Sequence, residues 1–541
     1  MRTKAIAIFF IGVLIQFFSA QVNAQYSFER QYNIPSYGGT GIVELDNGFC
    51  VIGAQQDTSN NTQLVLFRID QKGSIVWSRK FWSDTSIHLY PISMNLTDDS
   101  SYLISGGAEE LKSNGWCCQY QVFCMKADKS GNLIWAKKIG IDSLNEFPNR
   151  SVVVDDGGLI MVAARRDTSD NLYSCVFKLD QNGNLQWCTN LDAGEYFDLI
   201  SPVLTSSGDI FCQGQYLDYY YGYYDPHLAN LVCKIDANGI LLWSKSYSFD
   251  VTFQSWSIVP TLCGYFIVGN TDSTCCPHGN PLVMKIDEDG NFLWAKEYAS
   301  WFSGQALAAH ETCDGGAVFT TWVQTGLSTS AGLTKIDFSG TAQWTHLYGN
   351  NEYGNGFNML QTTDNGYTAF GALNQTGVPL RLYKANNIGE IPCTDTLVYP
   401  ISFNKTCTVS DVGVVSTGIP IKNLFLHVSD FDLTDSLICL DSFQVTTLDT
   451  VYCVATQINS GEELSFLISP NPTTSTLQLH YTLTQPGELM MFDALGRKVK
   501  SSTLTSNQST FKLSVAELPA GVYLVAVESK GKWWREKLVK E

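Results

Sequence analysis

Hydrophobic and polar residues alternate along most of this chain in short runs that are separated by glycine-containing turns. One recurring unit is an alternating segment ending in a form like Lys-Ile-Asp, then a turn with glycine, then a segment carrying tryptophan. Alternation with a period of two is typical of β-strands with one buried face, and glycine supplies the positive φ of a tight hairpin turn. Six copies of this hairpin occur, followed by a degenerate seventh, at residues 67–77, 125–135, 177–187, 233–243, 284–294, 334–344 and 383–393.

A second strand–turn–strand segment lies midway between successive hairpins, for example at residues 45–53 and 154–163. Each unit therefore holds four antiparallel strands, named A to D in chain order, with the tryptophan on strand A and Lys-Ile-Asp on strand D. The tryptophans recur every 50 to 58 residues, and four-stranded units repeated at this interval predict an all-β fold, a β-propeller. We predict seven blades, with eight as the alternative. Residues 26–32 resemble an A strand and are expected to close the ring against the last D strand, near residues 380–385.

Strand alternation also sorts the connections between two faces of the disc. The B–C and D–A turns are short and share one face, and the A–B and C–D loops are long and share the other, here called the long-loop face. Aromatic rings concentrate in these loops, and tyrosine and tryptophan often serve in ligand grooves. The alternative is that the rings pack among themselves and stiffen the loops. The candidate ligand-binding residues are Trp116, Tyr196, Tyr219, Tyr220, Tyr221, Tyr223, Tyr224 and Trp301.

One hairpin, residues 285–294, resembles a calcium-binding loop because Asp287, Asp289 and Asn291 alternate around a glycine. An EF-hand loop needs a glutamate at its twelfth position, and that position is Tyr298. The sister copies place Lys72 and other non-acidic residues where this copy has Asp289. The sequence therefore predicts a structural hairpin here, and neither a metal site nor a cofactor.

The amino terminus has the features of an export signal. Residues 1–24 combine basic Arg2 and Lys4 with an apolar run and end in Val-Asn-Ala, so a signal peptide is expected and the mature chain should start at Gln25. The 16 cysteines fit an oxidising compartment, where disulfides persist. Their pairing stays open. The loop cysteines Cys117, Cys118, Cys275 and Cys276 are expected to form structural bridges, with Cys124 and Cys263 as suggested partners.

The net charge of −18 argues against nucleic acid or an anionic membrane as the main partner. We also expect no integral membrane insertion, since no segment after residue 24 is long and apolar enough to span a bilayer. Residues 25–393 are assigned to the propeller, and residues 394–465 to a Ser/Thr-rich spacer that contains cysteines.

The composition changes near residue 466, and alternation in the block 466–541 predicts a small β-sandwich. Its motifs resemble the type A C-terminal sorting domain of the type IX secretion system of the Bacteroidota. The residues that carry the resemblance are Pro470, Asn471, Pro472, Gly496, Arg497, Gly521, Tyr523 and Lys537. The resemblance implies passage across the outer membrane by the type IX machinery, removal of the domain, and either attachment to the cell surface or release. The propeller is similar in architecture to secreted repeat proteins of the same bacteria, which implies no activity.

The search for catalytic motifs finds no zincin, nucleophile-elbow, P-loop or Rossmann pattern. The sequence thus favours a secreted or cell-surface binding and adhesion scaffold, with a glycan or protein as ligand on the long-loop face, and it leaves the enzyme question open. The alternative is an extracellular propeller enzyme, either a glycan lyase or hydrolase or a quinoprotein-like dehydrogenase. Quinoprotein propellers also repeat Asp, Gly and Trp, although usually with a longer gap between Asp and Gly and with eight blades.

Overall fold

A computed structural model describes residues 25–443 and 466–540, apart from short gaps. The gaps fall at residues 35, 58–60, 84–86, 112–117, 141–143, 167–171, 192–196, 206, 219–226, 250, 262–263, 272–278, 300–303, 313–314, 326–327, 349–354, 373–379, 392–394, 399–400, 406–407, 412–420, 424–426, 431–434, 471–472, 482, 484–485, 494–497, 507–509, 520 and 530–531. Within the described residues all regular structure is β, and no helix is present that could cross a membrane.

The first 28 strands of the described chain build the ring. The strands of its first half are β1 (Gln25–Tyr32), β2 (Ser36–Leu45), β3 (Gly48–Gln56), β4 (Thr62–Ile69), β5 (Ile75–Trp82), β6 (Ile87–Leu96), β7 (Tyr102–Leu111), β8 (Cys118–Ala127), β9 (Leu133–Ile139), β10 (Asn145–Val153), β11 (Leu159–Arg166), β12 (Leu172–Leu179), β13 (Leu185–Leu191) and β14 (Phe197–Leu204). Those of its second half are β15 (Ile210–Asp218), β16 (His227–Ile235), β17 (Leu241–Ser248), β18 (Phe253–Thr261), β19 (Gly264–Thr271), β20 (Pro281–Ile286), β21 (Phe292–Ala299), β22 (Gly304–Glu311), β23 (Ala317–Thr325), β24 (Ser328–Ile336), β25 (Ala342–Tyr348), β26 (Asn355–Gln361), β27 (Tyr367–Ala372) and β28 (Leu380–Ala385).

These strands form seven antiparallel sheets within the described residues, each with strand B innermost and strand A further out. The innermost strands β2, β6, β10, β14, β18, β22 and β26 contact one another in this order, and β26 returns to β2. The chain is therefore a closed seven-bladed β-propeller, as the sequence predicts. Apolar faces of neighbouring blades pack together around the ring, for example Leu66, Phe81, Ile104 and Phe123 between blades one and two.

The N-terminal strand closes the ring. β1 pairs with β28 in antiparallel register, from Phe28 opposite Lys384 to Tyr32 opposite Leu380, and so serves as strand A of blade seven. This confirms the closure expected from the sequence. Because the first and last segments of the ring share one sheet, blade seven cannot be completed without both.

Part of the predicted spacer adds a fifth, outermost strand to six of the seven sheets described. We call residues 395–443 the belt. Its strands lie in reverse blade order on blades six, five, four, two, one and seven, and they are β29 (Asp395–Val398), β30 (Ile401–Lys405), β31 (Thr408–Asp411), β32 (Ile421–Asn423), β33 (His427–Asp430) and β34 (Asp435–Phe443). The belt thus follows the circumference once and covers edges that would otherwise offer unpaired backbone groups. The last strand, β34, pairs with β1 from Gln25 opposite Phe443 to Tyr32 opposite Asp435.

The recurring Asp, Gly and Trp residues hold adjacent blades together. In the copy at 285–294, Asp287 Oδ1 accepts the backbone N–H groups of Asp289 and Asn291 at 2.9 and 2.8 Å, which fixes the turn. Gly290 adopts φ +73° and lies against the ring of Trp243, on strand A of the preceding blade. The repeat therefore encodes a hairpin together with a contact between blades, here called the inter-blade clamp.

The described residues after the belt form a separate small sandwich, as the alternation predicts. One sheet has the order β35–β36–β39 and the other β38–β37–β40–β41. Leu477, Leu479, Met491, Val525 and Leu538 lie in their common core. The strands are β35 (Phe466–Ser469), β36 (Thr476–Tyr481), β37 (Gly487–Asp493), β38 (Lys498–Leu504), β39 (Thr510–Ser514), β40 (Gly521–Ser529) and β41 (Lys532–Lys540).

Candidate functional site

The aromatic residues predicted as ligand-binding stay predictions, because all eight lie outside the described residues. They are Trp116, Tyr196, Tyr219, Tyr220, Tyr221, Tyr223, Tyr224 and Trp301. The strands that carry these loops are described, and the A–B and C–D connections do share one face of the disc. The site that the described residues define is the central channel, which the innermost strands enclose.

A β-bulge interrupts every innermost strand in its described part, where the pairing with the next strand shifts by one residue. A bulge turns a side chain away from the regular alternation and frees backbone groups from the ladder. The residues just before pairing resumes are apolar in five blades, threonine in one and arginine in one: Thr40, Ile92, Arg150, Ile200, Trp256, Ala308 and Phe357. Among these seven bulge residues only Arg150, in blade three, is therefore charged.

A cavity of about 650 Å³ occupies the channel, and innermost strands from all seven blades line it. Its lining runs from the level of the bulges to the last residues of the strands, such as Glu44, Leu96 and Glu311. Strand B runs from the long-loop face toward the short B–C turns, so this cavity lies on the side of the short turns. Its walls combine apolar side chains with polar groups, which include Ser93, Asn95, Ser151, Ser201, Ser257 and Asn358.

Arg150 reaches across the channel. Its Nη2 donates a hydrogen bond to the carbonyl oxygen of Leu307 in blade six at 2.9 Å, and its Nη1 lies 3.4 Å from Ser257 Oγ in blade five. Leu307 lies in the bulge of β22, so its carbonyl oxygen is outside the regular ladder. The side chain is half-buried and faces the lumen, and desolvation by the surrounding wall lowers the pKa of Arg150 to about 10. The guanidinium is therefore still a cation at neutral pH.

The acidic groups of the cavity lie at its other end. Glu44 accepts hydrogen bonds from Thr363, at 2.8 Å from the backbone N–H and 2.9 Å from Oγ1, and so joins blade one to blade seven. Burial raises the pKa of Glu44, while the bonds from Thr363 act in the opposite direction. Glu311 is the last residue of β22, and the His310 ring beside it contacts the Glu311 carbonyl oxygen through Nδ1 at 2.7 Å. Desolvation lowers the pKa of His310 below its ordinary value, although the residue is exposed at the cavity wall.

A second polar contact joins blades three and four next to Arg150. Asn149 Nδ2 donates to Asp198 Oδ1 and to the Leu199 carbonyl oxygen, both at 2.7 Å. Desolvation raises the pKa of Asp198 to about 6 despite the bond from Asn149, which lowers it. A half-buried carboxyl with this pKa changes its protonation state between pH 5 and 7.

The described cysteine side chains correct one sequence-based suggestion. Cys124 is a free thiol that is fully buried, and its Sγ lies 3.9 Å from Met161 Sδ in the core. It therefore cannot bridge to the loop cysteines, and that suggestion is wrong. Other free thiols described are Cys50, Cys175, Cys188, Cys212 and Cys233. The side chains of Cys117, Cys118, Cys263, Cys275 and Cys276 lie outside the described ones, so bridges among them stay a prediction.

No cluster of three or more histidine, cysteine, aspartate or glutamate side chains poised to bind a metal occurs among the described residues. The aspartates of the repeated turns are engaged by backbone N–H groups of their own turns. Asp70, Asp128, Asp180, Asp236 and Asp337 each accept two such bonds at 2.8 to 2.9 Å. Their repetition therefore has a structural cause.

Four of the eight residues predicted for sorting lie among the described residues of the C-terminal sandwich. Pro470 follows a cis peptide bond at the end of β35. Tyr523 is buried, and its hydroxyl donates to the Pro519 carbonyl oxygen at 2.9 Å. Gly521 and Lys537 take part in the pairing of β40 with β41. The other four lie outside the described residues: Asn471, Pro472, Gly496 and Arg497.

Together these features define a class of protein, in which a seven-bladed propeller is followed along the chain by a small β-sandwich. Residues 467–541 match the family described as "Secretion system C-terminal sorting domain", which confirms the resemblance to the type IX sorting domain. The protein is therefore exported by the type IX machinery and is secreted or located at the outer cell surface.

Among curated proteins none matches this chain. Among solved structures, it is similar to the propeller domain of the Trilobed protease from Pyrococcus furiosus, with 9% identity, a TM-score of 0.38, and coverage of 68% of this chain and 99% of that one. It is also similar to the acylaminoacyl peptidase of Pyrococcus horikoshii, with 12% identity, a TM-score of 0.36, and coverage of 66% of this chain and 52% of that one. A third similar structure is a fungal alcohol oxidase of the AA5 family in complex with copper, with 8% identity, a TM-score of 0.31, and coverage of 96% of this chain and 99% of that one. Similarities at this level carry no activity to this chain.

Proposed function

We propose that this protein is a binding scaffold of the cell surface or the extracellular medium and that its ligand is a glycan. The observation that carries the proposal is the cavity of about 650 Å³, to which all seven blades contribute wall residues. This volume lies within the ordinary range of small-ligand sites. Export by the type IX machinery places such a site where extracellular polysaccharides are accessible.

The wall chemistry supports a sugar as ligand. Hydroxyl and amide groups such as those of Ser201 and Asn358 can donate to and accept from sugar hydroxyls, while Ile258 and Met359 offer apolar surface to the C–H face of a ring. The aromatic residues predicted on the long-loop face would form a second sugar-binding surface by stacking, on the side of the disc opposite to this cavity. A protein ligand on that face is the competing proposal.

The enzymatic alternative is a glycan lyase or hydrolase. Its support is that Glu44 and Glu311 line the same cavity, because a pair of carboxyl groups is what most glycoside hydrolases use. Glu44, however, already joins two blades through Thr363, and a catalytic acid must be free to exchange its proton with substrate.

A glycan array with the chain from Gln25 to Glu541 tests the proposal. Two variants locate the site: replacement of Tyr219, Tyr220, Tyr221, Tyr223 and Tyr224 by serine on the long-loop face, and Ser201→Tyr, which narrows the cavity. We expect binding by the parent chain and loss of binding in at least one variant whose circular dichroism spectrum is unchanged. Binding of no glycan would overturn the proposal, and breakdown of a bound polysaccharide would favour the enzymatic alternative.

A further inference from the structure

Arg150 is the feature of the channel that the architecture of a propeller does not explain. The equivalent bulge residues of the other blades are uncharged, and their strands close the same ring without a cation. Arginine at this position costs desolvation energy, which its depressed pKa of about 10 reflects.

The guanidinium has fewer partners than its donors allow. It has five N–H groups, and among the described residues it donates to the Leu307 carbonyl oxygen and, weakly, to Ser257 Oγ. No carboxylate of the described chain forms an ion pair with it, and its pKa is lowered by desolvation alone. A half-buried guanidinium that faces a cavity and has N–H groups left over is suited to an anion.

The surrounding groups fit the same ligand. Ser201 and Ser257 line the cavity at the level of the bulges, where their hydroxyl groups can donate to an acidic group that Arg150 holds. The Ser151 hydroxyl also lies at this level, but it is paired with Ser105 Oγ at 2.9 Å. Glu44 follows Thr40, the bulge residue of β2 that is equivalent to Arg150, by four positions, so it lies about 13 Å further along the strand. The cavity is therefore positive at depth and negative at its mouth.

We propose that Arg150 recognises a carboxylate or sulfate group of the ligand, so that the glycan bound in the channel is an acidic one. The acidic group enters from the short-turn side and meets Arg150 at the bottom of the cavity, while neutral hydroxyl groups remain near Glu44 and Glu311. This inference rests on the proposed function and specifies the substrate class of the same site. A free inorganic anion offers the same chemistry, so the experiment must separate the two sources.

Isothermal titration calorimetry on the chain from Gln25 tests the inference with three probes: glucuronate, neutral glucose and inorganic sulfate. Arg150→Gln removes the charge, and Arg150→Lys keeps the charge without the planar guanidinium group. Lys138→Gln, which breaks a partly buried ion pair with Glu110 in blade two, is the matched control. We expect glucuronate to bind more tightly than glucose. Binding should weaken about tenfold or more in Arg150→Gln, by less in Arg150→Lys, and not in Lys138→Gln.

The outcomes separate this inference from the proposed function. If neutral glycans bind the parent chain and Arg150→Gln equally well, the inference fails while the glycan scaffold stands. If only sulfate binds, and does so through Arg150, the site is an anion site and the glycan function fails. If Arg150 only stabilises the ring through its contacts with blades five and six, neither glucuronate nor sulfate binds the parent chain. That result overturns the inference even where Arg150→Gln lowers stability.

Discussion

The hydroxyl group of Tyr247 donates a hydrogen bond of 2.6 Å to the carbonyl oxygen of Gly290 in the following blade. The bond recurs around the ring from Tyr32 to Gly73, from Tyr298 to Gly340 and from Tyr348 to Gly389. Tyrosine, tryptophan and the glycine turn thus act as one unit that spans two blades. The contact between blades constrains the glycine as much as its own hairpin does.

The first prediction concerns Gly290→Ala. A Cβ atom at Gly290 would lie 2.4 Å from Cη2 of Trp243, in addition to the strain of φ +73°. Gly208→Ala is the matched control, because Gly208 has φ +82° and a Cβ atom at that position would have no other atom within 4 Å. In urea unfolding we expect Gly208→Ala to cost about 1 kcal/mol and Gly290→Ala a further 1 to 3 kcal/mol or so. Equal losses would contradict the inter-blade clamp.

The second prediction concerns the buried ion pair of blade three. Glu146 Oε1 lies 3.1 Å from Arg165 Nε, and both side chains are 2% exposed. Glu146→Gln leaves Arg165 without its counter-charge. We therefore expect the free energy of unfolding, measured in urea, to fall by about 3 kcal/mol. The control Glu110→Gln breaks a pair in which Glu110 is 44% exposed and should cost under about 1 kcal/mol.

A double variant separates burial from attraction at this pair. Glu146→Leu combined with Arg165→Met removes both charges, and we expect it to be more stable than Glu146→Gln alone, since no uncompensated charge remains. A double variant as unstable as the single one would mean that Arg165 stabilises the blade through its other contacts, which include Asn190.

The third prediction concerns the belt. Replacing residues 435–443 by a glycine–serine segment of equal length removes the outer partner of β1 while leaving β28 on its other side. We expect hydrogen exchange of the β1 amides to become about tenfold faster or more, as local opening costs less. Replacing residues 421–423 is the control, because β32 covers blade two and should leave exchange in β1 unchanged. Slow exchange in both variants would mean that β28 alone holds β1.

The sequence predicts the ring well because its signal is repeated. Alternation, glycine turns and tryptophan recur often enough to define the blades, and the likeness of residues 26–32 to an A strand predicts the closure by β1. The sorting domain is predictable for a different reason, since several short motifs occur in a fixed order.

The belt and the channel could not be predicted in the same way. Strands such as β32 have only three residues, which is too short for a period of two to be recognised, and their place is fixed by pairing with strands far away in sequence. Arg150 belongs to no motif, and its position depends on a bulge that only pairing with β11 reveals. Comparing the blades could have singled it out, as a charged residue where the equivalent positions are uncharged.

The last prediction concerns the pH dependence of stability at Asp198. Desolvation raises the pKa of Asp198 to about 6 in the folded chain, from 3.8 as its ordinary value. Between these values the unfolded chain loses the proton while the folded chain keeps it, so this residue makes stability fall as pH rises from about 4 to 6. Below about pH 4 the Asp198 carboxyl group does not lower the free energy of unfolding. Above about pH 6 it lowers that free energy by a constant amount of about 2 to 3 kcal/mol.

Asp198→Asn removes the titration but keeps an oxygen that can accept the bond from Asn149. We expect the variant to match the parent chain in urea unfolding at pH 4 and to be more stable at pH 8. Asp46→Asn, at an exposed position, controls for the change in net charge and should show no such difference. If Asp198→Asn follows the parent chain in parallel from pH 4 to 8, the Asp198 carboxyl group titrates normally. Its burial beside the channel would then carry no electrostatic cost.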